Sequence, residues 1–428
     1  MSRLFLSPKG AFLATALLAI MLPQQHGDAA QPLRVGTAKR SITPDPLLPV
    51  SGGLGTPNPT TKKLGDISIR VLVLKQGDEK LVLGSVDALG FPGVLIDRAA
   101  GQYPAIAKDR WVIGATHTHS APDLYAFPDG KGGHTGDLKH IDWVCSQLAD
   151  AVREADASAT ESEILVSSGE VQGKIAYNYY APDLYDRRAG VIVFRNKEDR
   201  KTIATLVNYA IHPEVLGSEL GICSPDLIGP MCDRIEEKEG GMAIFFNGAQ
   251  GGMITADNRS LDQPSDPIRG KWKDERTWEE CLRIGKALGD EAIRIGKEGV
   301  ADPMPILRCQ SKQVLFPCDS DLLWAVVQHS PLNYPKTENR MLPTRLNRIQ
   351  LGSALLVTIP GEALPNIGFY LKRKLAAEHP FLLGLTNDAF GYILTEVDFA
   401  SFPTYRYVSE VSMGEKTGTI LIDSILNW

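Results

Sequence analysis

The stretch Trp111-Val-Ile-Gly-Ala-Thr-His117-Thr-His119-Ser120-Ala-Pro122 restricts the fold of this chain more than any other. Its apolar first half reads as a buried strand, and the polar His-Thr-His-Ser that follows, closed by Pro122, reads as the loop where that strand leaves the core. Alternate residues of an extended segment point to the same side. His117 and His119 therefore aim two imidazoles at one point, which suits a divalent metal or a pair of proton transfers. A His-x-His by itself is equally compatible with two unrelated surface histidines; its place at a strand end is what favours a site.

From residue 34 onward strand-like and helix-like segments alternate. Residues 70–74 and 81–86 read as one hairpin, 190–194 and 202–208 as a second, and 345–351 with 354–359 as a third across Gly352-Ser353. Residues 164–171 and 242–246 read as further strands. Ile141, Val144, Leu148 and Val152 have helical spacing, as do Trp278, Leu282, Leu288, Ala292 and Ile295. Ser224-Pro-Asp-Leu has the form of a helix start, and residues 260–273, with their Pro and charges, that of an inserted loop. This order predicts an α/β protein with mixed, partly antiparallel β-sheets and flanking helices. Without a long linker, low-complexity run or internal repeat, residues 30–428 are expected to form a single large domain; their number also accommodates two sublobes.

The N-terminus reads as an address. Arg3 and Lys9 precede an apolar run over residues 11–22, then a polar stretch and small residues to Ala29. That is the order of a signal peptide spanning residues 1–29, and the run is too short to cross roughly 30 Å of hydrocarbon. The expectation is a secreted or periplasmic protein with no transmembrane segment in its mature chain. A net charge of −6 provides no basic footprint for nucleic acid or for anionic lipid headgroups. Six cysteines lie beyond the leader without any Cys-x-x-Cys, so a thiolate zinc site is not indicated. Export permits disulfides, but a domain of this size folds without them, and buried free thiols are expected.

Other polar clusters close predicted strands. Asn208-Tyr-Ala-Ile-His212-Pro213 ends the second hairpin, placing His212 near His117 and His119 if their strands are neighbours. Ile359-Pro-Gly-Glu362 leaves the third hairpin, Phe390-Gly-Tyr392 follows an apolar run, and Asn247-Gly-Ala-Gln250-Gly251-Gly252 is a glycine cluster after a strand. Taken singly, His212 reads as a satisfied core histidine, Glu362 as a helix-start carboxylate, Tyr392 as a half-buried aromatic and the glycines as a tight turn.

In this order the blocks around His117-Thr-His119, His212-Pro213, Ser224-Pro-Asp, the glycine cluster, Gly-Glu362 and Gly-Tyr392 resemble the catalytic domain of the neutral/alkaline ceramidases, from about Arg34 onward. The resemblance implies a zinc ion, Zn2+, held by His117, His212, Glu362 and Tyr392, with His119 beside the activated water or the substrate carbonyl. It implies substrate contacts at Asn247, Gly251 and Gly252. Two departures stand out: the glycine cluster lacks the serine that family members carry, and the chain stops shortly after Tyr392, without room for their immunoglobulin-like domain. The expected activity is a secreted zinc-dependent hydrolase acting on a linear amide, small or lipid-like, in sphingolipid or related lipid metabolism. Water activated by the zinc would be the nucleophile, His119 the proton carrier, and Tyr405 or Tyr407 the donor to the developing oxyanion. A metallo-esterase or lactonase of the same fold and a non-catalytic secreted binding protein are the alternatives. Asp87, at a strand end, is a candidate carboxylate for orienting a ligand histidine.

Overall fold

Long apolar strands next to short turns build the molecule outward from its sheets. The computed structural model describes residues 31–266 and 271–428, so the expected leader and part of the 260–273 insertion lie outside the described residues. One sheet runs in the order 242–247, 202–209, 188–196, 160–170, 34–41, 68–76, 79–86, 111–115, with 300–302 added beside 160–170. Among the described residues its two halves pair at Arg34 and Val35 with Glu161 and Thr160. A second sheet orders 307–317, 341–351, 354–358 and 379–383.

So short a joint lets the halves turn their apolar faces toward each other. Leu72, Leu83 and Val112 from one half meet Ile192, Leu206 and Phe246 from the other, and Ile349, Leu356 and Phe381 of the second sheet complete this core. Helices cover the outer faces. Ile141, Val144 and Leu148 of the helix Leu138–Ser158, together with Leu95 and Ile96 of Gly93–Gly101, pack on Ile69, Val71 and Val73. Helices Ile228–Glu239 and Trp278–Gly296 cover the other half through Met231, Ile235, Ile284 and Leu288. The capping is local: Asp137 accepts from the His140 N–H and Thr277 from the Glu280 N–H. The protein is thus an α/β molecule of mixed sheets and flanking helices, and residues 32–428 form one compact unit.

Most neighbouring strands are antiparallel; three pairs that are parallel matter for the site. These are 79–86 with 111–115, 202–209 with 242–247, and 354–358 with 379–383. Ligand sites form outside the carboxyl ends of parallel strands, where the backbone must leave the sheet. His117 and His212 follow such ends, and Glu362 and Tyr392 pair with each other in a short parallel bridge beyond the third.

Three local expectations change. The helix after Ser224 begins only at Ile228, because the Ser224 hydroxyl accepts from the Asp226 N–H in a turn and leaves the helix without a side-chain cap. Residues 259–266 and 271–274 pair as antiparallel strands with two register shifts, so the described part of the inserted segment is not simply a loop. The strands before His117 and His212 are not hydrogen-bonded neighbours but stand near opposite ends of the first sheet. Residues 384–387 tie those ends together: Leu385 accepts from the Ala115 N–H, Asn387 donates to Ile113, and Gly384 donates to Asn247. All six cysteines are buried and free. Among the described residues no helix is long and apolar enough to cross a membrane.

Candidate metal centre

The strand Trp111–Ala115 ends two residues before His117, whose φ of +73° turns the chain sharply. A non-glycine residue held there costs of order 1–3 kcal/mol and persists where its surroundings over-determine it. Here the His117 N–H donates to the Ala88 carbonyl at 2.9 Å and its Nδ1 lies 2.6 Å from the Leu89 carbonyl oxygen. A carbonyl oxygen only accepts, so Nδ1 carries the proton and Nε2 presents a lone pair inward. His212 repeats the device: its N–H and its Nδ1 both reach the Ile254 carbonyl, at 2.7 and 2.8 Å.

Glu362 closes on both free nitrogens, with Oε2 3.0 Å from His212 Nε2 and 3.5 Å from His117 Nε2. The ligand atoms of His117, His119 and His212 all lie within 4.8 Å of one another, a spacing that suits a shared metal ion. His119 Nε2 is buried and has no hydrogen-bond partner. Buried polar atoms are rarely left so, which leaves His119 facing the point where the others converge, and the imidazole nitrogens of His117 and His212 with the Glu362 oxygen form a donor set matched to a divalent transition ion. The residues present therefore fit a metal.

The electrostatics agree. Burial pushes the His117 and His119 imidazoles down to about 4, keeping both neutral at physiological pH. Burial opposes ionisation of Glu362 as well, but the His117 and His212 imidazoles beside it outweigh burial and hold the carboxyl at about 2. His212 feels the same burial, yet its bond to Glu362 raises it. Tyr392 is pushed well above 10 by burial first and then by the Glu362 charge, so its phenol is protonated; its hydroxyl lies 3.3 Å from Met253 Sδ.

Above these groups opens a cavity of about 350 Å³, lined by His117, His119, Glu362, Tyr392 and Tyr407 and walled by apolar side chains such as Leu323, Val327 and Phe390. Tyr407 packs edge-on against Tyr392 at 5.8 Å. Tyr405 is not among the lining residues; it packs against Tyr180 and Phe402, each ring at 5.6 Å.

Asn247, Gly251 and Gly252 also lie outside the lining and act on the loops beneath it. Asn247 Nδ2 donates to the carbonyls of Thr116 and Ile211, and its Oδ1 accepts from the Ile211 N–H, so one buried amide clamps the segments before His117 and His212. Gly251 donates to the Ala363 carbonyl, and a Cβ there would sit 2.1 Å from the Glu362 carbonyl oxygen. Gly252 has φ +69°. Gly251 and Gly252 are therefore backbone supports beneath the Glu362 loop.

Asp87 does not orient a histidine, since its Oδ2 accepts from the backbone and hydroxyl of Ser68 at 2.8 and 2.9 Å; the Leu89 and Ile254 carbonyls do that work. Backbone carbonyls leave no mark in a sequence. Glu214 was also not foreseen: its Oε2 lies 3.6 Å from His119 Nδ1. Its signal was present, because His212-Pro-Glu214 repeats the i, i+2 spacing of His117-Thr-His119.

No family model matches this sequence, and no curated protein matches it. Solved structures do. A neutral ceramidase from Pseudomonas aeruginosa aligns with a TM-score of 0.72 over 92% of this chain and 74% of its own, at 16% sequence identity. A ceramidase complexed with C2 gives 0.73 with the same identity and coverage. The chain shares the neutral ceramidase fold.

Proposed function

We propose that this protein is an exported zinc-dependent hydrolase of linear amides. The observation that carries the reading is the convergence of three imidazoles and Glu362 on one point at the base of a partly apolar cavity. His117, His212, Glu362 and Tyr392 would hold the ion, which when bound supplies a Lewis acid and lowers the pKa of a bound water to roughly 7. The remaining work belongs to the chain. The apolar walls exclude bulk water and take the hydrocarbon part of the substrate. His119, neutral at rest, takes the proton from the attacking water and returns it to the leaving nitrogen as the carbon–nitrogen bond breaks, leaving a carboxylate and an amine. Tyr407, in the cavity wall beside Tyr392, is the better placed of the two expected phenols to donate to the developing oxyanion.

The structural neighbours are named as ceramidases, which favours an N-acylated lipid amine as substrate. A cavity of about 350 Å³ lies at the small end of the range for ligand sites, roughly 300–1,000 Å³, and favours a compact amide over a two-chain lipid held whole. Export rests on the basic, apolar and small-residue order of residues 1–29. The deciding experiment is metal analysis of the purified protein combined with a hydrolysis screen of N-acyl amines, ceramide and short esters. Stoichiometric zinc with amide turnover is the expected result. Ester turnover alone would make it a metallo-esterase, and a protein without metal or turnover would be a binding protein.

A further inference from the structure

The three histidines of the centre are not held alike. His117 and His212 each turn Nδ1 to a backbone carbonyl and Nε2 to the Glu362 carboxylate, so both nitrogens of each ring are engaged. His119 turns Nδ1 to a carboxylate, Glu214, at 3.6 Å, while its buried Nε2 is left without a partner. One short segment makes this arrangement. His212 enters the centre, the Pro213 carbonyl accepts from the His119 N–H at 3.4 Å, and Glu214 reaches the His119 ring.

Other charges near His119 are already engaged. Glu219 pairs with Arg276 at 3.0 Å, and Glu362 pairs with His212 and His117. Glu214 pairs with no Lys or Arg among the described residues, and its carboxylate contacts the His119 ring. At 3.6 Å the contact is a charge contact and is longer than a hydrogen bond. It would shorten when the ring becomes a cation.

From this asymmetry we infer that Glu214 is the positioning residue that makes His119 the proton carrier of the centre. The inference rests on the amide-hydrolase reading above. Glu214 holds the His119 proton on Nδ1, directs the Nε2 lone pair toward the attacking water, and balances the imidazolium formed when that water gives up its proton. The same proton then passes from Nε2 to the leaving nitrogen, so the ring ends neutral as it began.

Two measurements test it. In the 15N–1H imidazole spectrum of the zinc-loaded protein, the His119 proton is expected on Nδ1; a proton on Nε2 overturns the inference whatever the substrate proves to be. The second compares Glu214→Gln with the wild type on a simple N-acyl alkylamine and on the 4-nitrophenyl ester of the same acyl group. An alkylamine leaves only when protonated, whereas nitrophenolate leaves without a proton. Amide kcat is expected to fall roughly 100-fold, in the range of general acid–base effects, and ester kcat by about tenfold, because the ester needs the proton taken from water but not the one given to the leaving group; KM and zinc content stay within about threefold of wild type. Glu214→Asp, which keeps the charge, should recover part of the amide rate. Equal losses on both substrates, or no loss on the amide, overturn the assignment. Failure of the wild type to hydrolyse any amide counts instead against the proposed function, and the spectrum still decides the geometry.

Discussion

At the residue scale the centre depends on lone pairs aimed inward by fixed tautomers. His117→Ala and His212→Ala each remove one nitrogen from a set in which the Glu362 carboxylate touches both. Altering groups that merely support a ligand weakens metal affinity roughly 10–100-fold, so deleting a ligand should cost more than about 100-fold and most of the activity. Metal titration of the two variants checks this, and full zinc content in His117→Ala would remove it from the ligand set. Glu362→Gln should also weaken the site, because a neutral amide is a poorer ligand than a carboxylate held ionised at about 2. His117, His119, His212, Glu362 and Tyr392 were all legible as polar residues closing predicted strands. The carbonyls of Leu89 and Ile254 were not, because every residue has a carbonyl and only the fold selects which one faces a ring.

At the scale of elements, three parallel strand pairs deliver the site and the glycine cluster spaces their loops. Gly251 lies against the Glu362 backbone, where a Cβ would come within 2.1 Å of the carbonyl oxygen. Gly251→Ala must therefore push the Glu362 loop away from His212, and overpacking of this kind costs about 1–3 kcal/mol. The expected outcome is lower stability in urea together with weaker zinc binding; a variant with normal metal affinity would show that the loop has slack. Gly252→Ser should likewise lose stability through its positive φ, without a gain in ceramide turnover, since Gly252 does not line the cavity. Hairpins and helix spacing made most of these elements readable. The pairing of 259–266 with 271–274 was not, because its Pro and charged residues mimic loop composition.

At the scale of the whole molecule, burial sets a pH dependence away from the centre. Desolvation raises buried Asp226 from 3.8 to about 6, while the Leu216 and Leu227 N–H groups donate to its carboxylate. A raised native pKa means that the folded state holds the proton more tightly. The stability from this group is present in full below about 3.8 and is lost as pH rises through about 6. The advantage of wild type over Asp226→Asn should therefore shrink between pH 4 and 6, by at most about 3 kcal/mol, and then stay level. Urea unfolding of both proteins across that range checks the sign, and an advantage that grows with pH would contradict it. Zinc above its dissociation constant should raise the Tm of wild type and not of His117→Ala, because binding to the native state alone adds stability by mass action. If export is right, the recovered protein begins at Ala30 or Gln31, and finding Met1 intact outside the cytoplasm would exclude the proposed leader.

What the sequence determined by itself is the class of fold and a set of candidate polar residues at strand ends. Apolar periodicity marks strands and helices locally, and the polar groups that close the buried strands stand out against it. Only the tertiary structure decided how the centre is assembled and supported. His117 and His212 meet because the two halves of the sheet fold over one core and residues 384–387 bind their ends, although the strands never pair. Glu214 joins His119 by the same closure, and Asn247, Gly251 and Gly252 become supports beneath the cavity. Such relations depend on contacts between residues far apart in the chain, and local patterning carries no term for them.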